Sequence, residues 1–172
     1  MTRPDLPALL STWRRAEARW EQARVDAPDM PDLRQGVLIA WEAYNRAAGA
    51  FGEDEFLLVA DDSMTYVGVF GPTEALLGWT NEELTGRMIA DVTPPDALDL
   101  MDASWRAFVM AGRLEGVYPL WTRDQRIMAT RFTARAHHPV AGLHLSRHRP
   151  EGALESGFAS TLTGSSIARA RP

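Results

Sequence analysis

Cysteine and lysine are both missing from this chain of 172 residues. Without cysteine there is no disulfide framework, no thiolate metal site, no cysteine nucleophile and no thiol to form a flavin adduct. Without lysine, every cation except histidine and the amino terminus is an arginine, and the formal net charge is −5. A nucleic-acid or anionic-membrane surface wants the opposite sign, so neither partner is expected. Long apolar runs are missing too: nothing approaches the ~20 residues a membrane helix needs. The opening MTRPDLPALLSTWRR lacks the unbroken apolar core of a signal peptide. The expectation is a cytoplasmic, bacterial-type protein. Catalytic signatures are equally scarce, with no Gly-rich phosphate loop, GxSxG, HExxH or paired carboxylates in an apolar setting. Asp61-Asp62 reads as turn chemistry, and Asp91 and Asp96 read as helix caps. No catalytic residue is assigned, and an enzyme is not expected.

What is present is an ordinary globular composition, 45% hydrophobic and 24% charged, enough for one domain with a real core plus an accessory element. The first fifty residues have helical periodicity. Leu6, Leu9, Leu10, Trp13, Ala16 and Trp20 recur at spacings of three and four, as do Leu33, Val37, Ala40, Trp41, Tyr44 and Ala48. The proline-containing stretch from Val25 to Pro31 separates them, which predicts an antiparallel helical hairpin over residues 1–52.

The segment from Phe70 to Asp96 reads as three short helical turns in succession. Gly78 ends the first after Ala75, Leu76 and Leu77, where a left-handed C-cap costs glycine no steric penalty. Thr80 or Asn81 caps the second, with Glu82 and Glu83 near its positive end and Leu84 as its buried residue. Gly86 ends it, and Ile89 and Val92 anchor a third turn before Pro94-Pro95 forces a break. Such turns form a cupped wall.

Leu76-Leu77-Gly78-Trp79-Thr80-Asn81-Glu82-Glu83-Leu84-Thr85-Gly86-Arg87 resembles the LLGYSxEELxGR run of the PAS domain family, and Asp91-Val92-Thr93-Pro94-Pro95-Asp96 resembles its DLxHPED ending. The order of elements agrees over about residues 55–149. Strands fit 56–60 and 66–70 around an Asp61-Asp62-Ser63 turn, one helix fits 95–111, and three further strands fit 113–121, 126–136 and 140–149. The resemblance implies an α+β fold: a five-stranded antiparallel sheet with short helices on one face, here over residues 53–149, after the hairpin. Two positions depart from the family pattern. Phe70-Gly71 replaces the Asn-Pro that closes the corner after the second strand. Gln125 stands where the Lys-Asp-Gly turn has glycine, so that turn takes a different geometry or holds Gln125 in an uncomfortable one.

On the 95–111 helix, Leu98, Met101, Trp105, Phe108 and Val109 share a face, which is either packed core or the wall of a ligand cavity. Met128, Thr130, Phe132 and Ala134 alternate with Arg131, Thr133 and Arg135, so the first set faces inward. Leu143 and Leu145 complete the inward set, with His144, Ser146 and His148 as the outward row of the last strand. His144 and His148 lie ~13 Å apart along such a strand and cannot share a metal ion. His137-His138-Pro139 reads as a turn with no acidic or thiolate ligand nearby in sequence, so no metal site is assigned. The family's haem-binding branch takes its axial histidine from the long helix, which has none here.

Trp13, Trp20, Trp41 and Tyr44 each carry roughly 150–250 Å² that needs covering. Two readings stand for the hairpin: cover for the outer face of the sheet, or a homodimer surface through Leu9, Trp13, Trp20, Trp41 and Tyr44. Residues 150–172, rich in Gly, Ala, Ser and Thr, read as a flexible tail. The sequence thus implies a stand-alone sensory or signal-transduction module. It would bind an unknown small ligand, itself, or a signalling protein in trans, and no cofactor is expected. The alternatives are a sensor holding flavin or haem non-covalently, and a small α+β-barrel enzyme.

Overall fold

The computed structural model describes residues 4–26 and 31–154. They divide into two compact units. One contains the N-terminal residues through Gly52 with Pro139–Ala141; the other contains Glu53–His138 and the chain from Gly142 onward.

The first unit is built on α1 (Leu6–Asp26) and α2 (Pro31–Ala47). Pro31 opens α2 at a position where its missing N–H costs nothing, with Asp32 in the first turn. Trp13 lies against Tyr44 with ring centroids 5.5 Å apart, and Trp41 lies 5.7 Å from Phe51. Trp20 and Trp41 are buried, and the indole N–H of Trp20 donates to the Ala141 carbonyl at 3.4 Å. α1 ends at Asp26, inside the proline-containing stretch expected to break the two helices. No helix of the described residues is long and apolar enough to cross a membrane.

The second unit is an antiparallel sheet of order β2-β1-β5-β4-β3. Its strands are β1 (Phe56–Asp61), β2 (Tyr66–Phe70), β3 (Arg113–Trp121), β4 (Ile127–Arg135) and β5 (Leu143–Leu154). Asp61 folds the first hairpin by accepting from the backbone N–H groups of Ser63 and Thr65 through one carboxylate oxygen. In the second hairpin the Thr122 hydroxyl oxygen accepts from the Arg126 N–H at 2.9 Å, and Gln125 sits at φ 60°. The chain thus keeps the left-handed turn without the glycine, the strained alternative of the two the sequence allowed.

Between β2 and β3 run α3 (Thr73–Leu77), α4 (Asn81–Leu84), a 3-10 turn (Ile89–Val92) and α5 (Pro95–Ala111). Gly78 ends α3 at φ 78°. Thr80, not Asn81, caps α4: its hydroxyl accepts from the Glu83 N–H while the Glu83 carboxylate accepts from the Thr80 N–H, a reciprocal capping box. Phe56, Leu58, Ala60 and Tyr66 from the sheet meet Leu77, Leu84 and Val92 from the short helices in the main core. Burying each large side chain contributes roughly 1.5–3 kcal/mol.

Two expectations need correction. β5 runs to Leu154, so the stretch after Pro150 is not all tail; residues 155–172 lie outside the described residues. The strand starts at Leu143, because 139–142 form the connection from β4.

The corner after β2, where the family's Asn-Pro is absent, is closed by Gly71 and Thr73. The Thr73 hydroxyl oxygen lies 2.8 Å from the Trp79 carbonyl and 2.6 Å from the Asn81 side-chain oxygen. Gly71 has φ 98°, and a Cβ there would stand 2.7 Å from the Glu55 carbonyl oxygen. Gly112 is left-handed too, at φ 75°, but has open space around it. Gly112→Ala should therefore cost about 1 kcal/mol in urea unfolding, and Gly71→Ala about 3 kcal/mol. Equal losses would show that the corner relaxes freely.

Candidate functional site

Under α5 the second unit holds a partly open cavity of about 100 Å³. α5 contributes Ala97, Met101, Ser104, Trp105 and Phe108, spaced at helical intervals so that one stripe faces the sheet. Ala60, Tyr66, Tyr118, Phe132 and Ala134 line it from four strands, and β5 adds His144, Ser146 and His148.

Of the residues expected from sequence, Met101, Trp105, Phe108, Phe132 and Leu145 line this space; Leu98, Met128, Thr130 and Leu143 are not among them. Leu98 is half-buried, one residue beyond Ala97 and so rotated off the stripe. Met128 packs against the main core. Thr130 is fully buried, with its hydroxyl 2.9 Å from the Tyr118 carbonyl and 2.9 Å from His148 Nδ1. Leu143 is buried but sits in the row of β5 opposite the histidines.

That row is the main correction. His144, Ser146 and His148 face inward, not outward. β5 lies between β1 and β4 and buries residues of both rows, Leu143 as well as His144 and His148, so hydrophobicity alone misassigned the faces. A signal was available: Arg147 belongs to the row of Leu143 and Leu145. It bonds Glu55, itself buried, with Nε 2.9 Å from the carboxylate, and Arg149 reaches the same carboxylate. A row that carries two arginines is a poor cavity lining, whereas the histidine row carries no fixed charge.

His148 is stacked between Phe56 and Phe132, with ring centroids 5.1 and 5.7 Å away. Its Nδ1 lies 2.9 Å from Thr130 Oγ1 and its Nε2 2.9 Å from Ser146 Oγ. Burial pushes its pKa down to about 3, so the ring is neutral. His144 packs edge-on against Trp105 and Phe108, with centroids 4.9 and 5.8 Å apart. Its Nε2 is 2.9 Å from Asp62 Oδ1, while its Nδ1 is buried with no hydrogen-bond partner among the described residues. Burial lowers the His144 pKa, and the Asp62 carboxylate partly opposes it. Tyr118 pairs with Thr93 at 2.7 Å, and burial raises its pKa against that bond. The result is an apolar chamber with uncharged polar edges.

The proposed interface residues separate into two groups. Trp20 and Trp41 are buried within one chain, whereas Leu9, Trp13 and Tyr44 remain half-buried. Trp20 and Trp41 are thus not surface a second copy meets without local opening.

No protein-family model matches the chain, and no curated protein matches it. Solved structures do. A PAS domain from Colwellia psychrerythraea is 15% identical, with TM-score 0.54, covering 64% of this chain and 98% of its own. A domain of the sensory box sensor histidine kinase/response regulator from Geobacter sulfurreducens is 17% identical, with TM-score 0.51, covering 64% and 96%. Drosophila melanogaster Cycle PAS-B with bound ethylene glycol is 11% identical, with TM-score 0.50, covering 55% and 98%. At these identities the likeness is one of fold.

The buried histidine makes stability depend on pH. Its folded pKa of about 3 lies below the ordinary 6.5, so between those values the unfolded chain binds a proton that the folded chain does not. The contribution is fully present above pH 6.5 and is lost as pH falls toward 3. From pH 7 to pH 5, urea unfolding should lose about 2 kcal/mol through His148. His148→Gln should remove that part of the slope; an unchanged slope would place the proton elsewhere.

Proposed function

From the PAS fold of the second unit, we propose that this protein is a sensory, signal-transducing module whose cavity under α5 takes a small apolar ligand of about single-ring size. The observation that carries the reading is the cavity itself, apolar on its walls and about 100 Å³ in volume. A dry cavity of ~150 Å³ holds benzene, so this one suits one ring or a short branched chain. Flavin and haem are far larger, which favours a sensor without a cofactor. The unpartnered Nδ1 of His144 favours a ligand that carries one polar atom. The reading is non-catalytic, because the polar groups of Thr93, Tyr118, Thr130, Ser146 and His148 are spent on one another. The Geobacter neighbour is a domain of a sensor histidine kinase, and the Drosophila neighbour carries a bound small molecule, which supports sensing in the same fold.

The purified chain should be colourless, and benzene or phenol should raise its melting temperature. Saturation at about a hundred times Kd is worth about 2.7 kcal/mol. Met101→Trp fills the cavity and should abolish the shift while leaving the far-ultraviolet dichroism unchanged. A stoichiometric flavin or Soret band, or an undiminished shift in the filled variant, would sink the reading.

The proposal includes a homodimer that passes its signal to a protein in trans. What favours it is apolar surface left on the first unit: Ile39 is 55% exposed, Leu6 is 37% exposed, and Leu9, Trp13 and Tyr44 are only half-covered. Light scattering should report a dimer for the full chain and a shift to monomer for Leu9→Glu combined with Ile39→Glu. A full chain that is monomeric at every concentration tested removes the homodimer from the proposal.

A further inference from the structure

We propose that Asp62, His137 and His144 form a binding site for a divalent transition-metal ion of the zinc class, on the rim of the sheet. No acidic residue stands beside these histidines in sequence; the fold supplies one. The register that pairs Ala60 with His144 and Asp61 with Leu143 brings Asp62, in the β1–β2 turn, over the start of β5. Asp62 Oδ1 thereby lies 2.9 Å from His144 Nε2. His137 follows β4 at φ 53°, with its ring centroid 5.0 Å from that of His144. One candidate ligand atom from each residue lies within 4.8 Å of the others, and among the described residues no other His, Cys, Asp or Glu trio meets that condition.

The geometry fits a metal with modest movement. Zinc binds imidazole nitrogen and carboxylate oxygen at roughly 2.0–2.2 Å, which sets tetrahedral ligand atoms roughly 3.3 Å apart. The Asp62–His144 pair is already within a few tenths of an ångström of that spacing. His144 is fixed, being 2% exposed and wedged against Trp105 and Phe108. His137 and Asp62 are exposed, so both side chains can turn toward a common centre, and solvent can fill the fourth position. His137 Nδ1 lies 3.4 Å from the Gly142 N–H as an acceptor, which leaves Nε2 for the ion.

Donor chemistry chooses the ion. Two imidazoles and one carboxylate suit zinc, nickel or copper; calcium and magnesium take oxygen ligands. The chain offers few rival sites, having four histidines and no cysteine, and His148 is buried with both nitrogens engaged. The inference stands independently of the ligand proposed for the cavity.

The test uses the untagged full chain after EDTA treatment and dialysis, titrated with Zn2+ by calorimetry and with Co2+ by visible absorption. One equivalent should bind, and Co2+ should give the intense visible bands of a four-coordinate site. His137→Gly, which suits the left-handed backbone, and Asp62→Asn should each weaken Zn2+ at least about tenfold, and His138→Ala less than about twofold. Far-ultraviolet dichroism of each variant checks that the fold is kept. Absence of saturable Zn2+ binding would reduce the Asp62–His144 contact to a hydrogen bond only. Binding that survives both His137→Gly and Asp62→Asn would place the ion elsewhere. Either result overturns the site.

Discussion

The pairing of β1 with β5 is the contact on which the second unit depends. β2 reaches the sheet only through β1, and β3 only through β4, so without this pairing the unit is a β1–β2 hairpin and a separate three-stranded sheet, each with open edges. The pairing joins residues near the two ends of the domain and carries a loop-closure cost that local hairpins avoid. Its register is held at one end by Glu55, buried and met by Arg147 and Arg149. At the other end Asp62 meets His144. A slip of the strand would leave the Glu55 carboxylate buried without its partners, a loss on the order of several kcal/mol. The ion pair therefore acts as a register lock more than as a source of net stability.

The same register decides the character of the cavity. With β5 fixed between β1 and β4, the row of His144, Ser146 and His148 turns under α5, where only neutral groups are tolerated. His148 meets that demand through two hydrogen bonds and two stacked rings. His144 meets it incompletely, with one nitrogen bonded to Asp62 and one left over. The half-satisfied residue is also the one shared by the chamber and the rim cluster. Its unpartnered Nδ1 is where a ligand in the chamber gains most, since the surroundings have already borne the cost of desolvation, whereas the rim cluster uses Nε2.

The short helices show a different division of labour. Their sequence is nearly self-sufficient: the Thr80–Glu83 capping box, Gly78 at φ 78° and Gly112 at φ 75° each set a boundary through local geometry. Gln125 shows the reverse, a residue held at φ 60° because the Thr122 and Asp124 contacts around it fix the turn. The hairpin it closes is long enough, nine residues in each strand, to carry that strain.

Sequence alone determined the fold and most boundaries. The turn-and-cap spacing from Leu76 to Asp96 marked the PAS arrangement, α5 and β3 have the limits read from periodicity, and the alternation in β4 puts Phe132 and Ala134 inward as expected. These are local signals, in which each residue's role follows from neighbours within a few positions. Tertiary structure corrected which face of β5 points inward, because Leu143 and Leu145 share their row with Arg147 and hydrophobicity alone reads the leucines as the cavity side. It also brought Asp62 to His137 and His144 across more than seventy residues of chain, a proximity that no spacing in the sequence encodes. Strand pairing at a distance chose the partners, and with them the lining of the cavity under α5 and the cluster at the rim of the sheet.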